Sequence, residues 1–363
     1  MNFIDFFRQQ LNTRSSMPFV EFMHHALYAP HVGYYSAGHF PFGTAGDFIT
    51  APELTPLFGY TLANQCYAIL SELQHPVLFE FGAGSGRLCV DILTRLQQLN
   101  ALPNTYYILE VSAALKHHQQ QFIQEAIPQL AHRVQWLERW PNKPFQGVII
   151  ANEVLDAMPV HRFLRTDQGL FESYIQLHEA LSTFEEIFLP CSNESLKAHL
   201  LAALNHEQRP YLSEANLCIN DWLKQCATML SSGMFLIIDY GFPRHEYYHP
   251  DRHQGTLMCH RQHQAHPNPL QNPGQEDITA HVDFTHVAEA AHDAGFQISG
   301  YTNQASFLLG NDLLSFLNTQ NQQAIRKLTD PSEMGELFKV MALTKNFEEP
   351  LAGFQLHDKR ASL

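Results

Sequence analysis

Positive charge is scarce in this chain. Lysine and arginine number 22 against 36 aspartates and glutamates, which leaves a formal net charge of −14 over 363 residues. Non-specific attraction to nucleic acid or to an anionic membrane needs clustered cations, so that balance excludes both as bulk properties. A basic protein partner or a cationic substrate side chain suits it better. Paired cysteines are also missing. Cys66, Cys89, Cys191, Cys218, Cys226 and Cys259 are scattered, with no C-x-x-C unit, which speaks against a disulfide framework and for a reducing compartment. Long apolar runs are absent: no stretch could span a bilayer, and the first residues hold no signal-peptide core. Asp5 and the few arginines near the start disfavour a transit peptide. The expectation is a soluble cytoplasmic protein, or one of the mitochondrial matrix if the source is eukaryotic. Apolar residues make up 45% of the chain, ample for a full core. The length accommodates two domains, or one large domain with insertions.

What is present centres on residues 77–88, VLFEFGAGSGRL. An apolar run closes on Glu80, and glycines follow at Gly82, Gly84 and Gly86. Beyond them Leu88, Val90, Ile92, Leu93 and Leu96 line one side of a helix. Strand, glycine turn and helix make the first unit of a doubly wound α/β domain. Glycine lets the turn take φ > 0 and lets a ligand approach the backbone. Helix N-termini attract anions, yet Glu80 precedes this turn and suits hydroxyls or an ammonium better than a pyrophosphate. The run is G-x-G-x-G, with Arg87 where a dinucleotide fingerprint has its third glycine. A nicotinamide-linked oxidoreductase is therefore the weaker reading, and S-adenosyl-L-methionine (SAM) the better one. A second acid is expected against the ribose hydroxyls, and residues 106–111 form a β-rich run carrying Glu110. The expected cofactor residues are Glu80, Gly82, Ala83, Gly84, Ser85, Gly86, Glu110 and Val111, joined by Trp136, Leu137, Asn152 and Glu153. The alternative is a glycine turn that only packs helix on strand.

Helices are expected over residues 2–11 and 18–27, the second capped by Ser15 or Ser16. Residues 31–59, rich in glycine, proline and aromatics, contain Asp47 and Glu53. They read as a binding loop or lid, or else as an aromatic cap without chemistry. A helix over 56–73 leads into the first strand. Ser112 caps a helix through about residue 124, and 133–137 is the third strand, where Trp136 or Leu137 faces an adenine ring or the core. Residues 147–151 form a fourth strand of the fully buried parallel kind. Immediately beyond stand Asn152, Glu153 and Asp156. Ligands in open α/β sheets bind off the carboxyl ends of strands at the switch in strand order, which the first and fourth strands flank. An amide and two acids there can orient a nitrogen nucleophile; alternatively they cap a helix and face solvent.

Residues 171–177 alternate like a half-solvated strand within an insertion. A helix over 213–230, with Gly233 as its C-cap, returns to the core. A fifth strand over 234–241 ends on Asp239 and a glycine. The histidine-rich loop 244–283 carries Cys259, His260, His263 and His266, but their spacing is not that of paired zinc ligands, and no metal is assigned. Asp277 to Asp283 read as a second functional segment, and 284–294 as a helix closed by Gly295. The domain plan is a cap and loop (1–75), the first part of the core (76–162), an inserted subdomain (163–214), core (215–243), the histidine-rich loop (244–283), core again (284–345) and a tail (346–363) that frays.

Seven motifs occur in one order: GDFITAPELTPLFG (46–59), FEFGAGSG (79–86), ILEVS (108–112), ANEVLDAMPV (151–160), IDYG (238–241), GTLMC (255–259) and DITAHVDF (277–284). Through them, over about residues 15–345, the chain resembles the MidA-like family of SAM-dependent methyltransferases. The resemblance implies an α/β fold of the class I methyltransferase kind, a Rossmann-like doubly wound sheet with an N-terminal helical cap and insertions. It also implies protein arginine methylation, since the family's mitochondrial member is a complex I assembly factor that methylates an arginine of a complex I subunit. The implied partner is a protein carrying that arginine, such as a respiratory complex I subunit, with no nucleic acid and no membrane span; a homodimer is left open. A guanidinium holds its proton to pH above about 12 and is a poor nucleophile until carboxylates hold it. Glu153 and Asp156 are the expected catalytic acids, with Asp47 and Asp277 behind them. Asp47, Asp239 and Asp283 could instead stabilise loops. Two further alternatives are a SAM-binding assembly protein without turnover and a methyltransferase with another acceptor.

Overall fold

The Val77–Phe81 strand lies within a sheet of order Gln297–Asn303, Phe338–Lys345, Leu230–Phe242, Phe145–Asn152, Val77–Phe81, Thr105–Leu109, Val134–Leu137. Neighbours from Leu230–Phe242 to Val134–Leu137 run parallel. Phe338–Lys345 enters antiparallel between its two neighbours. The chain works outward from Val77–Phe81 on one side, then returns to its other side at Phe145–Asn152, so the strand order switches between those two. This is a doubly wound α/β fold with an antiparallel strand near one edge. The computed structural model describes residues 2–37, 50–178, 180, 182–262 and 264–363. Asp47 and His263 lie outside the described residues.

Phe145–Asn152 and Leu230–Phe242 carry unbroken apolar runs at 148–151 and 234–238 because both of their faces are covered. Val148, Ile150, Leu236 and Ile238 pack with the helices Pro56–Leu70 and Arg87–Gln98. Their sequence neighbours Ile149, Ala151, Phe235 and Ile237 face the helices Ile219–Met229 and Phe284–Asp293. Two glycines permit the close spacing at the start of these strands. A Cβ on Gly147 would lie 1.8 Å from the Val77 carbonyl oxygen, and one on Gly233 1.9 Å from that of Gly147. Gly233 is thus inside a strand rather than capping a helix. Ser213 likewise belongs to the strand Tyr211–Ala215, and the helix expected to begin there is confined to Ile219–Met229.

Tyr211–Ala215 joins His161–Thr166, Gly169–His178, Thr183–Pro190 and Met17–Pro18 in a second, antiparallel sheet. Pairing of Met17 with Ile175 holds the chain extended as far as Pro18, which becomes the N-cap of Phe19–Tyr28 in place of Ser15 or Ser16. Asn2 caps Phe3–Leu11 through the Asp5 backbone N–H at 2.8 Å. Phe3, Phe7 and Phe22 pack around Phe184 of the second sheet, with ring centroids 5.0–5.9 Å away. The same cluster takes in Leu257, Cys259 and Ile278 of the histidine-rich segment. That segment is not simply a loop: Gln264–His266, Met258–Arg261 and Asp277–Thr279 form a three-stranded antiparallel sheet. These parts meet the main sheet beyond Phe145–Asn152, where the Tyr28 hydroxyl donates to the Ala157 carbonyl at 2.9 Å and the Ala280 N–H to that of Asp156 at 3.0 Å.

The helix expected over 56–73 is found as Pro56–Leu70, and a short helix, Ala51–Leu54, precedes it, with Thr55 extended between them because it precedes a proline. The tail does not fray. Leu351 and Phe354 are buried, and the Lys359 N–H donates to the Tyr301 carbonyl. Among the described residues no helix is long and apolar enough to cross a membrane.

Candidate functional site

The Val77–Phe81 strand delivers Gly82, Gly84 and Gly86 at φ of 56°, 54° and 88°, the left-handed region in which a side chain is strained. A Cβ on Gly82 would meet nothing within 4 Å, so the backbone borders open space there. Two clamps hold the turn. Glu53, on the Ala51–Leu54 helix, accepts from the Ser85 hydroxyl and stands 3.4 Å from Arg87 Nε. Gln119, on Ala113–Ala126, donates to the Gly84 carbonyl and to Glu110 Oε2, both at 2.9 Å, and accepts from Trp136 Nε1 at 2.8 Å. Glu110 Oε1 accepts from the Ser112 N–H at 2.9 Å.

Glu110 and the exposed Val111 stand beside the turn. Glu80 is buried, accepts from the Tyr106 hydroxyl at 2.8 Å, and is pushed up to about 8 by that burial. Ala83 and Trp136 pack on one core cluster and Leu137 on the other, so Trp136 serves the turn through its N–H. Gln119 and Glu53 were not among the expected site residues. Gln119 did leave a signal: it is a polar residue in the otherwise apolar stripe Leu115, Gln119, Ile123.

The second half of the site follows Phe145–Asn152. Glu153 takes φ of 53°, rare for a residue with a side chain and a form of strain that clusters at functional sites. Asp239 organises the bend. Its Oδ2 accepts the backbone N–H groups of Val154, Leu155 and Asp156 at 3.2, 2.9 and 3.2 Å, and its Oδ1 that of Tyr240 at 2.9 Å. Asp156 Oδ2 accepts from the Tyr240 hydroxyl at 2.6 Å. Asp277 Oδ1 accepts from the Tyr35 hydroxyl at 3.0 Å, and Tyr35 stacks on Tyr28 with centroids 5.6 Å apart. The Asn152 amide donates to Glu153 Oε1 at 3.2 Å.

The fold therefore brings Glu153, Asp156, Asp239 and Asp277 together, walled by Tyr28, Tyr35 and Tyr240. Among the described residues no lysine or arginine pairs with Glu153 or Asp156. Burial, and then the charge of Asp156, pushes Glu153 up to about 8; burial pushes Asp156 up to about 6. Asn152 Oδ1 and Asp156 Oδ1 are buried acceptors with no hydrogen-bond partner among the described residues. Such a group is matched chemically to a guest that is cationic and carries several N–H donors. Tyr240 is far in sequence from Tyr28 and Tyr35, and no spacing in the sequence announced their meeting.

Residues 61–302 match the profile of a family described as S-adenosyl-L-methionine-dependent methyltransferases. The chain is 28% identical over 378 residues to a Drosophila melanogaster protein named protein arginine methyltransferase NDUFAF7 homolog, mitochondrial, covering 93% of this chain and 83% of that one. The Homo sapiens protein arginine methyltransferase NDUFAF7, mitochondrial, is 28% identical over 367 residues, covering 89% of this chain and 79% of its own. A Burkholderia thailandensis protein crystallised with S-adenosyl-homocysteine superposes with a TM-score of 0.93 at 38% identity, over 99% of this chain and 96% of that one.

Proposed function

The chain belongs to the S-adenosyl-L-methionine-dependent methyltransferase family whose profile spans residues 61–302, and on that premise we propose that it methylates an arginine side chain of a protein. The observation that carries the reading is the acid group of half-buried Glu153 with buried Asp156 and Asp277, which lacks a cationic partner for its first two members among the described residues. The names of the relatives from Drosophila melanogaster and Homo sapiens support the same acceptor.

The residues fit SAM. The glycine turn gives the backbone access that a side chain would block, Glu110 would receive the ribose hydroxyls, and Val111 would lie against the adenine. Asn152 Oδ1, a buried acceptor without a partner among the described residues, would take an N–H of the cofactor's ammonium. When bound, SAM supplies a methyl group on a positively charged sulfur, which goes to the acceptor nitrogen while the electron pair of the broken S–C bond stays on sulfur. Glu153 and Asp156 would hold the guanidinium in the two-pronged manner of a carboxylate–arginine pair, so that one nitrogen lone pair faces the methyl. As the N–C bond forms, that nitrogen loses a proton, and Asp156 would receive it. Tyr240 keeps Asp156 oriented through its hydroxyl, and Tyr28 and Tyr35 wall the acceptor side against water.

The test is to incubate the protein and methyl-labelled SAM with protein extracts, beginning with respiratory complex I subunits, and to hydrolyse the labelled product. Label in methylarginine is expected. Label in another amino acid, or only in small molecules, would overturn the arginine reading.

A further inference from the structure

The histidine-rich segment holds a second cluster, apart from the methyl-transfer residues. Met258–Arg261 pairs with Gln264–His266 on one side and with Asp277–Thr279 on the other. Cys259 stands directly opposite both His266 and Ile278, and directly opposed residues share a face of a sheet. Glu276 immediately precedes the strand Asp277–Thr279, and its carboxylate reaches the same place. One ligand atom each of Cys259, His266 and Glu276 therefore comes within 4.8 Å of the others. His260, adjacent to Cys259, is on the other face and is not part of the group.

We propose that Cys259, His266 and Glu276 bind one divalent cation of the zinc class, with water completing a tetrahedral shell. The donor set is one sulfur, one imidazole nitrogen and one carboxylate oxygen, which suits a borderline-soft ion better than magnesium or calcium. The charge balances too: a thiolate and a carboxylate neutralise a dication, and the thiol proton leaves to solvent. Cys259 and Glu276 are nearly fully buried, and a neutral assembly is what such a place tolerates.

The geometry at His266 is more specific. Its Nε2 lies 3.1 Å from Glu276 Oε2, yet Nε2 is a buried atom that makes no hydrogen bond among the described residues. Two donor atoms that close without a hydrogen bond between them match the edge of a metal tetrahedron, about 3.3 Å for bonds of about 2.0–2.1 Å. The other Glu276 oxygen accepts from the Asn272 amide at 2.5 Å, the outer hydrogen bond that orients a ligating carboxylate. Ligation through Nε2 puts the imidazole proton on Nδ1, so metal binding would give up the long 3.3 Å hydrogen bond that Nδ1 accepts from the Asn268 N–H. Because Asp277 follows Glu276, a cation here would also pin the strand that presents Asp277 to Tyr35.

The test uses the whole protein, stripped with a chelator and titrated with Zn²⁺ or Co²⁺. Surface histidines alone could collect metal in a chain with 22 of them, so the deciding signal is the thiolate-to-cobalt charge-transfer band. We expect that band to saturate at one Co²⁺ per chain, to vanish in Cys259→Ser, and to need at least about tenfold more cobalt in the partly exposed His266→Ala. S-adenosyl-homocysteine binding to each variant checks that it is folded. Cobalt bound without the thiolate band, a band that survives Cys259→Ser, or equal cobalt affinity in His266→Ala would overturn the proposal.

Discussion

Replacing Gln119 with leucine isolates the contribution of the clamp behind the glycine turn. The side chain is fully buried and makes three hydrogen bonds of 2.8–2.9 Å, to Gly84, Glu110 and Trp136. Leucine is of similar size and opens little cavity, so the loss is almost wholly polar. Three groups lose a partner: the Gly84 carbonyl, Glu110 Oε2 and the Trp136 N–H. A buried group left unsatisfied costs about 1–3 kcal/mol. Water can reach half-buried Trp136, so the two better-shielded groups dominate and the net loss is about 3–5 kcal/mol. Urea unfolding of wild type and Gln119→Leu measures it. Calorimetric titration below the unfolding midpoint should show S-adenosyl-homocysteine bound about tenfold more weakly, equivalent to about 1.4 kcal/mol, because Glu110 and the Gly84 backbone lose their orientation. Gln119→Glu is the companion: it keeps the acceptor for Trp136 but sets a second carboxylate against Glu110, so its deficit should shrink as pH falls toward 5. A stability loss below about 1 kcal/mol together with unchanged affinity would refute the reasoning.

Gly84→Val, a β-branched residue at φ of 54°, should leave the main-sheet core folded and abolish S-adenosyl-homocysteine binding; a folded variant that binds normally would sink the glycine-turn assignment. Glu153 and Asp156 are raised to about 8 and about 6, so the folded protein holds protons that the unfolded chain has released. Stability should therefore fall as pH rises from about 4 to about 8, while methyl transfer, which needs both acids ionised, should rise over the upper part of that range. A pH profile of kcat/KM that keeps its inflection near 8 in Glu153→Gln would assign it elsewhere. His199 and His286, with rings 4.6 Å apart, are lowered to about 3 and about 4 mainly by burial. The unfolded chain protonates first, so their contribution is complete above about pH 6.5 and is lost as pH falls toward 4. Urea midpoints measured from pH 7.5 to 5 should slope less in His286→Gln, and an unchanged slope would contradict this.

Much of the core could be read from residue spacing, because both signals are local. The G-x-G-x-G run follows an apolar strand directly, and the stretches 148–151 and 234–238 are apolar throughout since helices cover both faces. The expected reversal of strand order between Val77–Phe81 and Phe145–Asn152 is the one found. What escaped depends on contacts between distant parts of the chain. Ser213 and Gly233 read as helix start and stop, but a second sheet recruits the first, and the Gly147 carbonyl leaves no room for a side chain at the second. Phe354 looks like part of a loose tail until the bare backbone of Gly300 is seen to receive its ring. In the candidate site, Glu153 and Asp156 stand out in the sequence by their place after a strand, a rule of topology. Tyr28 and Tyr35 were missed because a partner such as Asp277, 242 residues from Tyr35, is brought there by the fold alone.

The most direct test of the central claim, that the glycine turn serves the cofactor while the acids serve the acceptor, is the rate of methyl transfer by Asp156→Asn with S-adenosyl-homocysteine affinity measured in parallel. Asparagine keeps the shape and an acceptor for the Tyr240 hydroxyl and removes only the charge. The predicted result is a transfer rate lower by about 10²-fold or more with cofactor affinity unchanged. Transfer at the wild-type rate, or loss of cofactor binding in step with activity, would contradict the division of roles.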